Sequence, residues 1–154
     1  MMRMALVAFG TAALLGGCAL LGDVIFDRYG TFLTGGSIAH GQKGHRYGSG
    51  HASAWIERPP YRFCYSLSVA KVDGVTAAHL HRGPATSVGM EVLTLRPPVD
   101  GRSDGCLSPG RAILRQIKAR PESFYIDIHS AEFPEGAIRG QLQRNSPDVR
   151  APIR

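Results

Sequence analysis

The decisive stretch of the sequence is VTAAHLHRG, residues 75–83. Polar and apolar residues alternate along it and it stops at a glycine, which predicts a β-strand that ends in a turn. Side chains two residues apart lie on the same face of a strand, so His79 and His81 are expected to point the same way. This pair is the first part of a candidate site.

A second alternating run is FYIDIH, residues 124–129. Its three apolar side chains share one face, and its polar side chains share the other: Tyr125, Asp127 and His129. If this strand ends beside the first, His129 joins the earlier pair of histidines. Three neutral imidazoles suit copper, zinc or nickel and leave an open coordination position. The alternative is that the three histidines are structural polar groups on a half-exposed sheet face.

Two charged residues extend the candidate site. Asp127 is expected to accept a hydrogen bond outside the metal ligands and so to fix the tautomer of an imidazole. Arg139 either attracts an anion to the histidines or pairs with Asp127 or Glu135 inside the sheet, and the pairing is the favoured alternative. Three further histidines are less favoured as ligands because they lie in or beside a glycine-rich loop: His40, His45 and His51.

No catalytic residue is assigned from the sequence. It contains no Ser–His–Asp order, no pair of carboxylates at a useful spacing, no phosphate loop and no dinucleotide fingerprint. An enzyme is therefore the less favoured interpretation.

The N-terminal residues have the pattern of a secretory signal. Residues 1–3 carry a positive charge, and an uncharged run rich in Ala, Leu and Gly extends over residues 4–22. Within it LGGC, residues 15–18, resembles the lipobox of bacterial lipoproteins. That resemblance implies a signal peptide over 1–17 and a lipid on Cys18, through which the chain is attached to a membrane. In a Gram-negative cell it implies the outer membrane, facing the periplasm or the surface. The alternative is an uncleaved helix, since the run is close to the ~20 residues that span a bilayer.

Cys64 and Cys106 remain as an even pair in an exported chain. Oxidising compartments favour a disulfide between them. Closing a loop of this length is expected to stabilise the fold by about 4 kcal/mol. Two free thiols and a Cys–His metal site are the alternatives, although neither cysteine has a second one at zinc-finger spacing.

The formal net charge of the 154 residues is +6. One modest cluster of basic residues lies late in the chain: Arg111, Arg115, Lys118 and Arg120. This cluster either lies against anionic lipid headgroups or is an ordinary solvated helix face. Nucleic acid is not an expected partner, because basic and aromatic residues are not interleaved.

Many short strands and one helix predict an all-β fold, an antiparallel Greek-key-like β-sandwich. The short helix is expected at about 108–120, with Ser108 as the N-cap, Pro109 at the first helical position and Pro121 forcing the end.

The lipobox resemblance implies a signal peptide over 1–17, followed by a lipidated N-terminus and linker over 18–30. Length and composition predict one domain and a disordered tail over 144–154, and the bounds of the domain, 31–143, are those implied by the family resemblance described next. Within the domain, residues 99–107 are expected to form an irregular connection.

Four blocks of the sequence resemble the CHRD domain, which is named after chordin and is widespread in bacterial exported proteins. The blocks are residues 48–52, 77–83, 125–130 and 133–142. The family usually has Asn where Asp127 stands and Thr where Ser130 stands. The resemblance implies an all-β sandwich without an established activity, which favours a lipid-anchored binding or structural module of the cell envelope. Its expected partners are the membrane and either an envelope protein or a metal ion.

A more distant similarity is to the copper site of copper–zinc superoxide dismutases. These enzymes place a His-x-His pair on one strand, then a further copper-binding histidine and an arginine that attracts the anion. The matching residues occur here in the same order: His79, His81, His129 and Arg139. The interval between the second and third of them contains no histidine, so the bridging histidine has no counterpart. The similarity implies the alternative function, a mononuclear metal-binding or redox protein, with copper as the first choice of cofactor and zinc as the second.

Overall fold

A computed structural model describes residues 27–37, 41 and 43–145 of the chain. The signal peptide and the lipidation residue Cys18, predicted from the sequence, lie outside these residues, as do His40 and most of the predicted tail. Of the described residues, no helix has the length and apolar character needed to cross a bilayer.

The described ranges form nine strands, one α-helix and two 3-10 turns. The strands are β1 Asp27–Thr34, β2 Ser49–Glu57, β3 Arg62–Ala70, β4 Val75–Arg82, β5 Met90–Leu95, β6 Arg102–Leu107, β7 Phe124–Ser130, β8 Ile138–Gln141 and β9 Gln143–Arg144. The helix is α1 Arg111–Ala119, and the 3-10 turns are Gly35–Ser37 and Pro121–Ser123.

All of the strand pairs are antiparallel, in the order β5-β4-β7-β8-β1-β2-β3-β6, with β9 beside β1. The two four-stranded halves join where Thr34 of β1 pairs with Arg139 of β8. The predicted all-β class, with antiparallel sandwich packing and one short helix, is confirmed.

The core is filled by alternate strand residues and by the apolar face of α1. Phe124, Ile126 and Ile128 of β7 belong to the buried apolar cluster, and so do Leu114 and Ile117 of the helix. The intervening residues of β7 therefore face away from this cluster, as the alternation predicts. This face of β7 carries the candidate site.

Two strands occupy segments for which the sequence predicted no element. Residues 27–30, assigned to the linker over 18–30, belong to β1, because Tyr29 and Leu33 are fully buried and the strand pairs with β2 along its whole length. The segment 99–107, expected to be irregular, contains β6. This segment lacks clear alternation, and its backbone is ordered by pairing with β3.

The helix starts later than predicted. Gly110, not Ser108, is the N-cap, and its φ of 90° lies in the region that glycine adopts without strain. The predicted end is correct, since α1 stops at Ala119 and Pro121 opens a 3-10 turn.

Cys64 and Cys106 form the predicted disulfide. The two cysteines are register partners on β3 and β6, with their Cα atoms 4.0 Å apart. Glu57 lies near both sulfur atoms, but sulfur atoms joined in a disulfide are not thiolates and so are not available as metal ligands.

Candidate metal centre

Three neighbouring strands, β4, β7 and β8, carry the candidate site. His79 is the register partner of Asp127, which is in turn the register partner of Arg139, so these residues form a row across the sheet. His81 and His129 lie on the same face, one row to either side, because each is two residues from a member of that row. The structure thus brings together all of the residues that the sequence analysis proposed for this site.

The inner atoms of the cluster lie close to one another. Nδ1 of His79 is 3.1 Å from Nε2 of His129. Oδ1 of Asp127 lies 3.1 Å from Nε2 of His129, 3.3 Å from Nε2 of His81 and 3.6 Å from Nδ1 of His79. One nitrogen or oxygen from each of the four residues falls within 4.8 Å of the others.

The outer nitrogens of two imidazoles are held by backbone carbonyls. Nδ1 of His129 is 2.8 Å from the carbonyl oxygen of Pro134, and Nδ1 of His81 is 3.1 Å from that of Gly89. A carbonyl oxygen only accepts, so each Nδ1 carries the proton and donates it. In the neutral imidazole the lone pair is then on Nε2, which faces the cluster.

His79 presents its other nitrogen to the cluster. Its Nε2 lies 3.9 Å from Oε2 of Glu91 on the adjacent strand β5, beyond direct hydrogen-bond distance, and the nearby negative charge favours a proton on Nε2. In that tautomer Nδ1, which faces His129, has the lone pair. Nε2 of His81 is buried and has no hydrogen-bond partner within the described part of the chain. A buried acceptor without a partner is uncommon in proteins.

Asp127 lies beside the inner nitrogen of His129, where its carboxylate can serve as an acceptor for the imidazole or as a ligand. The acceptor that fixes the outer nitrogen of His129 is the carbonyl of Pro134, whereas Oδ1 of Asp127 lies among the inner nitrogens. The side chain is only 1% exposed, and its other oxygen, Oδ2, accepts a hydrogen bond of 3.1 Å from Arg139. Asp127 is therefore positioned as a member of the inner set.

Arg139 forms the pairing that was the favoured alternative. Besides Asp127, its guanidinium donates to the carbonyl oxygens of Ala85 at 3.1 Å and Ser87 at 3.0 Å. It also lies over the ring of Tyr125, with its Cζ 4.4 Å from the ring centroid. Arg139 consequently connects Asp127 to the loop between β4 and β5.

Tyr125 is a structural part of the site that sequence reasoning did not assign. Its ring stacks on His81 at 4.9 Å with an interplanar angle of 6°, and its hydroxyl accepts a hydrogen bond from the backbone N–H of Gly89. Its place on the same predicted face as Asp127 could have indicated that Tyr125 belongs to the site. Glu91 carried no such signal, because its role depends on β5 lying beside β4.

The two described loop-region histidines lie outside the cluster. His45 packs edge-on against Phe133, and His51 packs edge-on against the exposed Phe32. Within the described residues the histidine cluster therefore consists of His79, His81 and His129.

The carboxylate and the imidazoles shift each other's protonation. Burial raises the pKa of Asp127, but the neighbouring imidazoles of His129, His79 and His81 outweigh burial and hold it well below its ordinary value. A second proton on His129 would be held by a hydrogen bond to Asp127, which raises the pKa of His129. Burial lowers the pKa of His81, and the neighbouring carboxylate outweighs this effect, so the net shift is upward. The cluster thus favours positive charge at its centre.

These shifts predict the pH dependence of stability in the metal-free protein. Groups whose folded pKa is raised stabilise the fold fully below their unfolded pKa of about 6.5, and this stabilisation is lost as pH rises through the folded pKa. The denaturation midpoint of chelator-treated protein is therefore expected to fall as pH rises above about 6. His129→Gln should flatten this decline and His51→Gln should not. Equal slopes in His129→Gln and the unsubstituted protein, measured by urea titration, would contradict the assignment.

The fold and the site together define a small antiparallel β-sandwich that carries a histidine cluster on the sheet face opposite its core. The chain belongs to the CHRD domain family, whose match extends over residues 30–142. Comparison with curated proteins and with solved structures found no match.

Proposed function

We propose that this CHRD domain binds a single metal ion between His79, His81 and His129. Asp127 supplies a carboxylate oxygen to the same centre. The observation that carries the proposal is the convergence of four inner atoms, one from each residue, within 4.8 Å of one another. The outer nitrogens of His81 and His129 lie beside backbone carbonyls, which supports a lone pair on each of their inner nitrogens.

A centre of this composition favours a cation. Three nitrogen lone pairs and one carboxylate oxygen repel each other unless a proton or a metal ion lies between them. Imidazole and carboxylate ligands about 2.0–2.1 Å from a tetrahedral ion are separated by roughly 3.3 Å. The inner atoms of this site, separated by 3.1, 3.3 and 3.6 Å in the contacts that involve Asp127, are close to that spacing.

The donor set favours copper over zinc. Nitrogen and carboxylate sites follow the Irving–Williams order, in which Cu(II) binds more tightly than Zn(II). The similarity to the copper site of superoxide dismutases also supports copper. A bound copper ion supplies one-electron redox chemistry. The chain's own residues orient the ligands: Gly89 and Pro134 hold the imidazoles, and Arg139 holds Asp127.

Binding is proposed in preference to turnover of an anionic substrate. The side chain of Arg139 is 3% exposed and its guanidinium donates to Asp127 and to two loop carbonyls. These contacts favour a positioning role for Arg139. The histidines are partly open, with side chains 13–18% exposed, so an ion in solution has access to them.

The cell envelope is the proposed location, with the chain anchored by a lipid on Cys18. The signal-like residues 1–17 and the lipobox resemblance support export and anchoring. The disulfide between Cys64 and Cys106 is consistent with an oxidising compartment.

Metal titration tests the proposed centre. Chelator-treated protein is loaded with Cu(II) or Zn(II), desalted and analysed for metal content, and affinities are measured by calorimetry. The unsubstituted protein should retain one ion per chain. His79→Ala and His129→Ala should each weaken binding by about 100-fold or more, because loss of even an outer partner costs 10–100-fold.

His51→Ala is the matched control, since it removes an exposed imidazole outside the cluster. Circular dichroism of each variant verifies that the sandwich is intact. A folded protein that retains neither copper nor zinc would refute the metal centre and leave an envelope domain of another binding role. Equal binding by the control and the two cluster variants would also refute it.

A further inference from the structure

A basic groove of about 250 Å³ lies beside α1, near the turn that connects β2 to β3. Its apolar base comprises Ile56 and Leu114, and Tyr61 lines its side. Four cationic side chains complete the lining: Arg58, Arg111, Arg115 and Lys118. No residue of the histidine cluster lines this groove, so the two features can be tested separately.

Positive charge in the basic groove exceeds negative charge. Asp27 pairs with Arg58 and, at 3.1 Å, with Lys118. Arg111 lies over the ring of Tyr61, with its Cζ 5.2 Å from the centroid. Arg115 is exposed, and none of the ion pairs among the described residues includes it. Arg111 and Arg115 are therefore available to a negatively charged partner.

The N-terminal turn of α1 adds to this positive potential. Gly110 provides no side-chain cap, and the first turn contains no acidic residue. The helix dipole and the free N–H groups of this turn favour an anion near Arg111.

The position of the groove indicates which anionic partner is within reach. Asp27, which contacts two of the groove's cations, is the first described residue of β1. Asp27 is nine residues beyond Cys18, so the chain between them spans at most roughly 30 Å when fully extended. A lipid on Cys18 therefore keeps the groove close to a bilayer surface.

We propose that the basic groove docks on the headgroups of anionic phospholipids, with lipid phosphates bound by Arg111 and Arg115. Tyr61, an aromatic residue that is 45% exposed, is suited to the boundary between headgroups and acyl chains. The choice of lipid as the anionic partner rests on the proposed anchor at Cys18, and the docking is independent of the metal centre. It orients the domain on the membrane that holds it.

Hydrogen exchange on vesicles tests the docking. The full chain is added to vesicles of phosphatidylcholine alone or of phosphatidylcholine mixed with phosphatidylglycerol, and amide exchange in α1 is followed by mass spectrometry. Exchange should slow only on vesicles that contain phosphatidylglycerol. The protection should disappear in high salt, because exposed charges are screened beyond about 3 Å at 1 M ionic strength.

A double substitution identifies the residues that bind lipid. Arg111→Gln with Arg115→Gln should reduce the docking equilibrium roughly 30-fold, since each basic residue near an anionic surface contributes about fivefold. Glutamine preserves helix propensity, so α1 should remain folded. Arg96→Gln with Arg102→Gln, two exposed arginines outside the groove, is the matched control and should dock normally.

Three results would overturn the docking. They are equal exchange on the two kinds of vesicle, equal loss in the control variant, and protection by inorganic phosphate on phosphatidylcholine alone, which would indicate a site for free anions. The mass of the Cys18 peptide from membrane-isolated protein tests the anchor separately. An unmodified Cys18 together with protection that requires phosphatidylglycerol would refute the anchor and support the docking.

Discussion

Replacing Arg139 with methionine is expected to lower the free energy of unfolding by about 3–5 kcal/mol. The substitution leaves Asp127, which is fully buried, as a charge without its guanidinium partner. It also removes the hydrogen bonds to Ala85 and Ser87 and the contact with the ring of Tyr125. Urea unfolding of the metal-free protein measures the loss. The pH should lie above the raised pKa values of His81 and His129, so that protonated imidazoles do not replace the lost cation.

Two further variants show whether the buried charge causes the loss. Arg102→Met removes an exposed arginine and should change stability by no more than about 0.5 kcal/mol. Adding Asp127→Asn to Arg139→Met should recover part of the stability, because the unpaired charge is then gone. A loss below about 1 kcal/mol in Arg139→Met would show that Asp127 does not depend on this partner.

Removal of the disulfide by Cys64→Ala with Cys106→Ala is expected to cost about 4 kcal/mol. The bond closes a loop with a sequence separation of 42, and its loss enlarges the ensemble of unfolded conformations. The native fold should survive, because β3 and β6 remain paired along six register positions. Urea unfolding of the double variant, compared with the oxidised protein, measures this difference.

A reducing agent supplies the control for this comparison. It should destabilise the unsubstituted protein by a similar amount and leave the double variant unchanged. Metal binding should be retained in the double variant, since its substitutions lie on β3 and β6, whereas the histidine cluster lies on β4 and β7. If reduction has no effect on the unsubstituted protein, loop closure is not the source of the stability.

The histidine face could be predicted because it depends on local geometry. The two-residue period places His79 beside His81, and it places Asp127 beside His129, without any knowledge of the partner strands. The pairing of β4 with β7 could only be assumed, because it joins segments about 50 residues apart through backbone hydrogen bonds that any side chains permit. The approach of Glu91 to His79 could not be predicted for the same reason, since it depends on the pairing of β5 with β4.

The inner position of Asp127 was beyond sequence reasoning for another reason. Spacing assigns a side chain to a face, but the rotamer that directs Oδ1 towards His129 depends on Arg139 holding Oδ2. That contact crosses from β7 to β8. Local rules specify which residues share a surface, and tertiary contacts specify which atoms meet.

The unpredicted strands show how sheet pairing overrides weak local patterns. β1 exposes Phe32 at 79% and buries Tyr29 completely, so hydrophobicity alone does not reveal its inner face. β6 contains Asp104 and Gly105, residues of low strand preference, yet it is ordered by β3 and by the disulfide.

The placement of β1 between β8 and β2 has a consequence for how the molecule is made. The first described strand occupies the middle of the sheet, and its neighbour on one side is among the last to be synthesised. A nascent chain that ends before residue 138 has no β8, so β1 and β7 both keep bare edges that attract strands of other chains. The sheet therefore cannot close until β8 is present, and a chain that lacks β8 exposes two strand edges that favour association with other chains.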